Sequence, residues 1–235
     1  MRDAWDILSV ERPWGRWHGL HGIMAFVLFV VTALAADAPT IKQPDLAKEL
    51  RTRVEHEQRL RQEAVEFCAE HKLTEEPIDL DPKIATAFNS LKQRLKDADR
   101  QNLIWFKDVV AKHGWPSKSL VGGQGAKDAW ILVQHADADR AFQQKCLDQM
   151  KALPKDEVDP RDTAYLTDRV LVGTGKKQLY GTQVIFKDGE AAPTPIENPD
   201  QVDLRRKAMG LEPLAEYLKF VEQVYAPNSP APDMK

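Results

Sequence analysis

The sequence predicts a mainly helical single domain with one small β-hairpin, preceded by an N-terminal export signal and a charged helix. Apolar residues recur at three- and four-residue spacing over most of the 235-residue chain. Asp, Pro and Gly stand where such helices would begin and end. One segment near residue 180 changes to a two-residue period, and the hairpin signal Asp188-Gly189 follows it.

The N-terminus has the pattern of a secretory signal. Arg12 and Arg16 give a positive flank, and residues 23–34 read IMAFVLFVVTAL without a charge. Ala33-Leu34-Ala35 then provides the small-x-small form that signal peptidase accepts. A membrane-spanning helix needs about 20 apolar residues. A retained anchor over residues 20–36 is therefore the alternative to cleavage.

Composition limits the classes of partner. The first 35 residues carry three positive and three negative charges, so the remainder keeps the net charge of −3. Without a basic excess, nucleic-acid binding is not expected. We expect an exported protein, periplasmic or extracellular, whose partner is an unknown small molecule or envelope protein. It would touch the membrane only through its N-terminal segment, and no cofactor is predicted.

Four regions follow from this pattern. Residues 1–36 form the signal or anchor, and residues 37–80 form a charged helix and a linker. Residues 81–226 form the helical core domain, and residues 227–235 form a Pro-rich, disordered tail.

The first two predicted helices differ in character. The helix over residues 43–72 has only a thin apolar stripe, interrupted by Glu57 and Arg61, so we expect it at the periphery. Asp81-Pro82 opens the second helix, with Asp as the cap and Pro in the first turn. The segment from Gly114 to Pro116 ends that helix.

Three helices follow in the middle of the chain. Residues 117–125 are expected to be a loop, and residues 126–136 a helix that is buried on every side, because Trp130 to Val133 are all apolar. The next helix spans residues 139–153. A further helix begins at Asp159-Pro160 and ends near Gly173.

The last third of the chain contains the predicted strand. Residues 178–186 alternate, which places Gln183 on the inward face with Ile185, and the return limb over residues 190–196 must be an edge or a loop because it contains prolines. Asn198-Pro199 is then expected to cap a helix that ends before Gly210, and Pro213 begins the last one.

The two cysteines, Cys68 and Cys146, allow two interpretations. In an oxidising compartment they would form a disulfide that closes a long loop. Otherwise they are free thiols in the core, since unpaired cysteine is among the most buried residue types. No zinc-type spacing of Cys and His occurs, and we predict no metal site.

His135 is the candidate catalytic base. With Gln134 it ends the buried helix, where a histidine is either a base or a structural hydrogen-bonding group. Asp168 lies on an apolar helical strip and needs a partner. It would either orient His135 or form a buried ion pair with an arginine near residue 205.

Several further polar residues stand where apolar ones would be expected. The candidate ligand-binding residues are Asn102, Gln134, Arg169, Tyr180, Gln183 and Arg205. Arginine suits bidentate recognition of carboxylate or phosphate.

Several unusual strings resemble a bacterial family of uncharacterised proteins, a domain of unknown function. These strings are GWP, LVQHAD, YLTDR, YGTQ and the RRxxxGLxPL pattern, in that order between residues 97 and 218. The resemblance implies no activity, cofactor or substrate. On these strings, the helix over residues 43–72 lies outside the family.

Two hypotheses for the function remain open. The first is a ligand- or partner-binding envelope domain in which the polar residues form a buried network. The second is an exported hydrolase or transferase in which His135 acts as the base, with Asp168, Gln183 and an arginine beside it. The second requires that these residues meet at a solvent-connected pocket.

Overall fold

A computed structural model of the chain describes residues 41–71, 73, 80–187 and 190–225. Within these residues the chain forms a mainly helical domain with one antiparallel pair of strands. The elements are α1 (Pro44–Glu70), α2 (Pro82–His113), α3 (Lys118–Gln134), α4 (Arg140–Ala152), α5 (Pro160–Gly173), β1 (Val184–Lys187), β2 (Glu190–Pro193), α6 (Val202–Ala208) and α7 (Leu214–Tyr225).

Side-chain caps start three of the helices where the sequence predicts them. Asp81 accepts a hydrogen bond from the Lys83 backbone N–H at 2.8 Å, and Asp159 does the same for Arg161 at 2.9 Å. Asp139 likewise caps α4. The expected cap at Asn198 is wrong, because its side chain makes no such bond and a short 3₁₀ turn precedes α6.

Helix α3 is the central element, as its apolar run predicts. Trp130, Leu132 and Val133 are all buried. The expected loop over residues 117–125 is wrong, because the chain is already helical from Lys118. The helical path is interrupted at Gly122, whose φ of 77° falls in the left-handed region that favours glycine. The glycines therefore kink the helix rather than prevent it.

Helix α1 is not peripheral, contrary to the expectation from its thin apolar stripe. It packs along α3 and antiparallel to α2, and Leu50 and Val54 are 0% and 3% exposed. The apolar stripe is thin in the sequence because the charged residues Glu57 and Arg61 interrupt it. Both are buried and paired, so they belong to the packed face.

Two apolar clusters stabilise the domain. The main cluster takes residues from α1 to α5, from β2 and from α7. A second, smaller cluster lies between the C-terminal half of α1 and the N-terminal half of α2. Its buried members are Leu60, Ala64, Leu91, Leu95 and Ala98.

The strand is shorter than the alternation predicts, and the opposite set of its side chains faces the core. Only residues 184–187 are extended, and Val184 pairs with Pro193 at the far end of the edge strand β2. Ile185 is 53% exposed, whereas Val184 and Phe186 pack on the main cluster. Gly181, with a φ of 71°, turns the chain before the strand and shifts the phase of the alternation. Asp188-Gly189 lies outside the described residues.

The two cysteines do not form the disulfide. Both are free: Cys68 is half-buried near the end of α1, and Cys146 is fully buried in the main cluster. Burial raises the pKa of the Cys146 thiol to about 12. The interpretation as free thiols therefore describes the structure, and Cys146 acts as a small apolar side chain.

The export signal over residues 1–36 and the tail over residues 227–235 lie outside the described residues. In the part of the chain that the structure describes, no helix combines the length and the apolar character needed to cross a membrane.

The contribution of α1 to the core is testable with two identical changes on one helix. Val54→Ala removes two buried methyl groups and should lower the free energy of unfolding by about 2 kcal/mol. Val65→Ala, at a position that is 42% exposed, should change it by less than about 0.5 kcal/mol. Urea unfolding of both variants measures the difference. Equal, small effects would mean that α1 is peripheral after all.

Candidate ligand-binding site

His135 is held in a buried polar cluster between α1, α2 and the end of α3. Its Nδ1 lies 2.7 Å from Oε1 of Glu57, and the two side chains are 2% and 0% exposed. Asn102 donates to the other oxygen of Glu57 at 3.2 Å. The sequence thus identified two members of the cluster but missed the carboxylate that joins them.

The charges of this cluster are balanced by Arg61. Its guanidinium donates to both oxygens of Asp99, at 3.0 and 3.1 Å. Burial opposes the ionisation of Glu57, but the charges of His135 and Arg61 outweigh it, so the pKa of Glu57 is lowered.

The same cluster has some of the geometry of a metal site. Glu57, Asp99 and His135 bring one potential ligand atom each within 4.8 Å of the others. A metal ion would have to displace the guanidinium of Arg61 from Asp99 or share the space with it, and two cations so close repel strongly. The arrangement therefore fits a hydrogen-bonded network better than a metal centre.

In the part of the chain that the structure describes, Asp168 neither meets His135 nor forms an ion pair with an arginine. Instead its fully buried carboxylate accepts hydrogen bonds from three backbone N–H groups of the segment after α5 and from one hydroxyl. The donors are Leu179 N (2.7 Å), Tyr180 N (3.1 Å to each oxygen), Thr182 N (3.0 Å) and Thr182 Oγ1 (3.0 Å). Burial raises the pKa of Asp168, and these hydrogen bonds oppose the rise.

We call residues 178–183 the cradle segment, and two arginines of α6 hold it from its other side. Arg205 donates to the Leu179 carbonyl at 2.7 Å, and Arg206, which is fully buried, donates to the Tyr180 carbonyl at 2.6 Å. Tyr217 donates to the Thr182 carbonyl at 3.0 Å. The side chain of Arg205 is therefore occupied by backbone carbonyl groups. Tyr180 takes part through its backbone N–H and carbonyl groups.

The other predicted binding residues also serve internal contacts. Arg169 pairs with Asp137 through Nε (2.9 Å) and Nη2 (2.5 Å). Burial opposes the ionisation of Asp137, but Arg169 and Arg140 lower its pKa to about 2. Gln134 is buried, with its side chain within reach of the Leu166 backbone N–H. Gln183 is half-buried, and its backbone N–H donates to the side chain of Gln178 at 2.9 Å.

A pocket of about 190 Å³ opens elsewhere, between the first half of α3, the end of α4 and the start of α5. None of the residues that the sequence singled out as catalytic or ligand-binding lines it. Its lining residues are Trp115, Lys118, Gly123, Ala126, Lys127, Met150, Val158, Asp159 and Asp162. This volume is below the roughly 300–1,000 Å³ of pockets for drug-sized ligands, so the pocket fits only a small molecule.

The pocket has one polar wall. Lys127 Nζ lies 2.8 Å from Oδ1 of Asp162 and 3.3 Å from the centre of the Trp130 ring. Burial raises the pKa of Asp162 to about 6, despite the neighbouring lysine. A carboxyl whose pKa is strongly shifted, in a cleft, is typical of functional sites.

Sequence reasoning missed this pocket because four separate segments build it. One signal was present: Asp162 stands three and four residues before Tyr165 and Leu166, on the apolar face of α5. An acid in that position faces the core, as Asp168 does. The partner Lys127 carries no such signal.

These features define, within the described residues, a helical domain whose buried polar groups fix its own loops and which has a small pocket between α3 and α5. The chain belongs to a family of unknown function, DUF6624, whose model matches residues 44–228. The match begins at α1, so the expectation that this helix lies outside the family is wrong. No curated protein and no solved structure matches the chain.

The role of Asp168 is testable with an isosteric change. Asp168→Asn places an amide group against backbone N–H donors and should lower the free energy of unfolding by roughly 2–4 kcal/mol. The control Asp200→Asn, at an exposed position, should stay within about 0.5 kcal/mol. Urea unfolding followed by circular dichroism measures both. A mild effect at Asp168 would show that the cradle segment does not depend on the charge.

Proposed function

We propose that this protein is an exported domain that binds a small molecule in the pocket between α3 and α5. The observation that carries the proposal is the Asp162 carboxyl, which is 8% exposed and has a pKa of about 6 in the polar wall of a pocket whose floor is apolar. A few polar groups in a largely apolar cleft orient ligands, and an acid with a strongly shifted pKa in a cleft is typical of functional sites.

Binding is favoured over catalysis by the positions of the polar residues. A hydrolase or transferase that used His135 as the base would need Asp168 and Gln183 beside it at a solvent-connected pocket. His135 is instead sealed against Glu57, and Asp168 is fully occupied by the cradle segment. The pocket wall offers an acid and a lysine, which is enough to hold a ligand.

The export of the domain is supported by the N-terminal pattern alone. A positive flank, an uncharged apolar run over residues 23–34 and the Ala33-Leu34-Ala35 site together are typical of a secretory signal. The ligand would then be a molecule met outside the cytoplasm.

Export is tested by expressing the full-length chain in a bacterium and determining the N-terminus of the product. We expect a periplasmic protein that begins just after Ala35. Ala33→Asp should block cleavage because signal peptidase requires a small residue there, whereas Leu34→Ser should be processed normally. A cytoplasmic product with residues 1–36 intact would contradict export, and an uncleaved membrane-bound one would indicate an anchor.

Ligand binding is tested by a thermal-shift screen of small metabolites on the full-length protein. A ligand at 100 times its dissociation constant stabilises the folded state by about 2.7 kcal/mol. For a domain of this size that corresponds to a rise of roughly 5–10 °C in Tm.

Gly123→Leu provides the matched control for this screen. A Cβ at Gly123 meets no atom within 4 Å, so leucine should fill the pocket mouth without disturbing the fold. It should abolish the shift, whereas Ala111→Leu, at an exposed position on α2, should leave the shift unchanged. Shifts that survive Gly123→Leu would place the ligand elsewhere and refute the proposed pocket.

A further inference from the structure

The polar wall of the pocket has an unused acceptor. Lys127 occupies Oδ1 of Asp162, and within the described residues Oδ2 accepts no hydrogen bond. The neighbouring acid Asp159 offers no such atom, because Arg161 binds both of its oxygens. A carboxylate oxygen accepts charge-assisted hydrogen bonds, so an ammonium group on a ligand would bind Oδ2 while Lys127 stays on Oδ1.

The floor of the pocket is apolar. Trp115, Met150 and Val158 are 6%, 2% and 8% exposed, and Ala126 lies beside them. These side chains suit a short aliphatic chain, whose burial contributes about 0.8 kcal/mol per methylene group.

A second charge of opposite sign stands at the pocket. Lys118 is exposed, lies at the start of α3 and lines the pocket with Lys127. Because Lys127 is already held by Asp162 and Trp130, Lys118 is the cation of the described pocket lining that would bind a carboxylate on the ligand. The pocket thus presents an acceptor for an ammonium group, a donor for a carboxylate and an apolar surface.

We infer that the ligand is a free amino acid with a short apolar side chain. Its ammonium group binds Oδ2 of Asp162, its carboxylate binds Lys118, and its side chain packs on Trp115, Met150 and Val158. This inference rests on the proposed binding function and narrows it to one ligand class. Such a ligand matches the small volume of the pocket, its two opposite charges and its apolar floor.

Three probes of matched length test the ligand class by titration calorimetry on the full-length protein. L-norvaline carries both charged groups, butan-1-amine lacks the carboxylate, and pentanoate lacks the ammonium group. We expect norvaline to bind most tightly, the amine at least tenfold more weakly, and pentanoate not measurably. Pentanoate binding as tightly as norvaline would overturn the inference.

Two substitutions assign the contacts. Asp162→Asn should weaken norvaline binding more than tenfold, and urea unfolding should confirm that the variant still folds. Lys118→Ala should weaken the binding of norvaline but leave that of butan-1-amine unchanged. Lys176→Ala, at another exposed lysine, should change the affinity for neither probe. Undiminished norvaline binding by Asp162→Asn would exclude the ammonium contact.

The pH dependence gives a second readout. The charged groups that face Asp162 are Lys127 from α3, the N-cap Asp159 just before α5, and Arg161 in the first turn of α5. Because the carboxyl ionises near pH 6, norvaline affinity should be about tenfold lower at pH 5 than at pH 8. A flat profile would contradict the role of Asp162.

The outcomes separate this inference from the proposed function. Suppose that the screen finds ligands whose thermal shift is abolished by Gly123→Leu, but that none of them carries an ammonium group. The pocket then binds another class of ligand, and only this inference fails. If Gly123→Leu reduces the thermal shift of no ligand, both this inference and the proposed function fail.

Discussion

The C-terminal third of this domain depends on one buried carboxylate. Among the described residues no cation pairs with Asp168, and the backbone N–H groups of the cradle segment offset its charge. An ionised carboxylate in the core costs several kcal/mol when it is left unsatisfied, so the packing of α5 is coupled to the placement of this segment. The segment in turn presents its carbonyl groups to Arg205, Arg206 and Tyr217, which fixes α6 and α7. The YLTDR and YGTQ strings, which carry part of the family resemblance, are therefore the two halves of one interaction.

A second polar cluster does the same for the N-terminal half. Glu57 reaches across to His135 and Asn102, so α1, α2 and α3 meet around one carboxylate. Deletion of any one partner would leave the others buried and unsatisfied, which is why such clusters specify a single packing. Both clusters use polar atoms to define where helices sit, and the pocket lies apart from either of them.

The sequence predicted the helices well because their starts depend on local chemistry. Asp81, Asp139 and Asp159 cap helices through bonds to residues two or three positions later, and such contacts are visible in a single string. Long-range features were not predictable in this way. The partner of Asp168 is backbone, which has no signature in residue type, and Gly181 reset the alternation that suggested a long strand. The charges at Glu57 and Arg61 disguised a packed helix, and the pocket needs four segments that only the fold brings together.

The two apolar clusters differ in size, and this has a consequence for how the molecule opens. The pair formed by α1 and α2 joins the main cluster at one end and closes on the small cluster at the other. Local opening costs less where fewer apolar side chains are buried. The far end of the pair, around Leu60 and Leu91, can therefore separate while Leu50, His135 and the cradle segment stay in place. We therefore expect two levels of cooperativity along this pair of helices, with the boundary between them near the ion pair of Arg61 with Asp99.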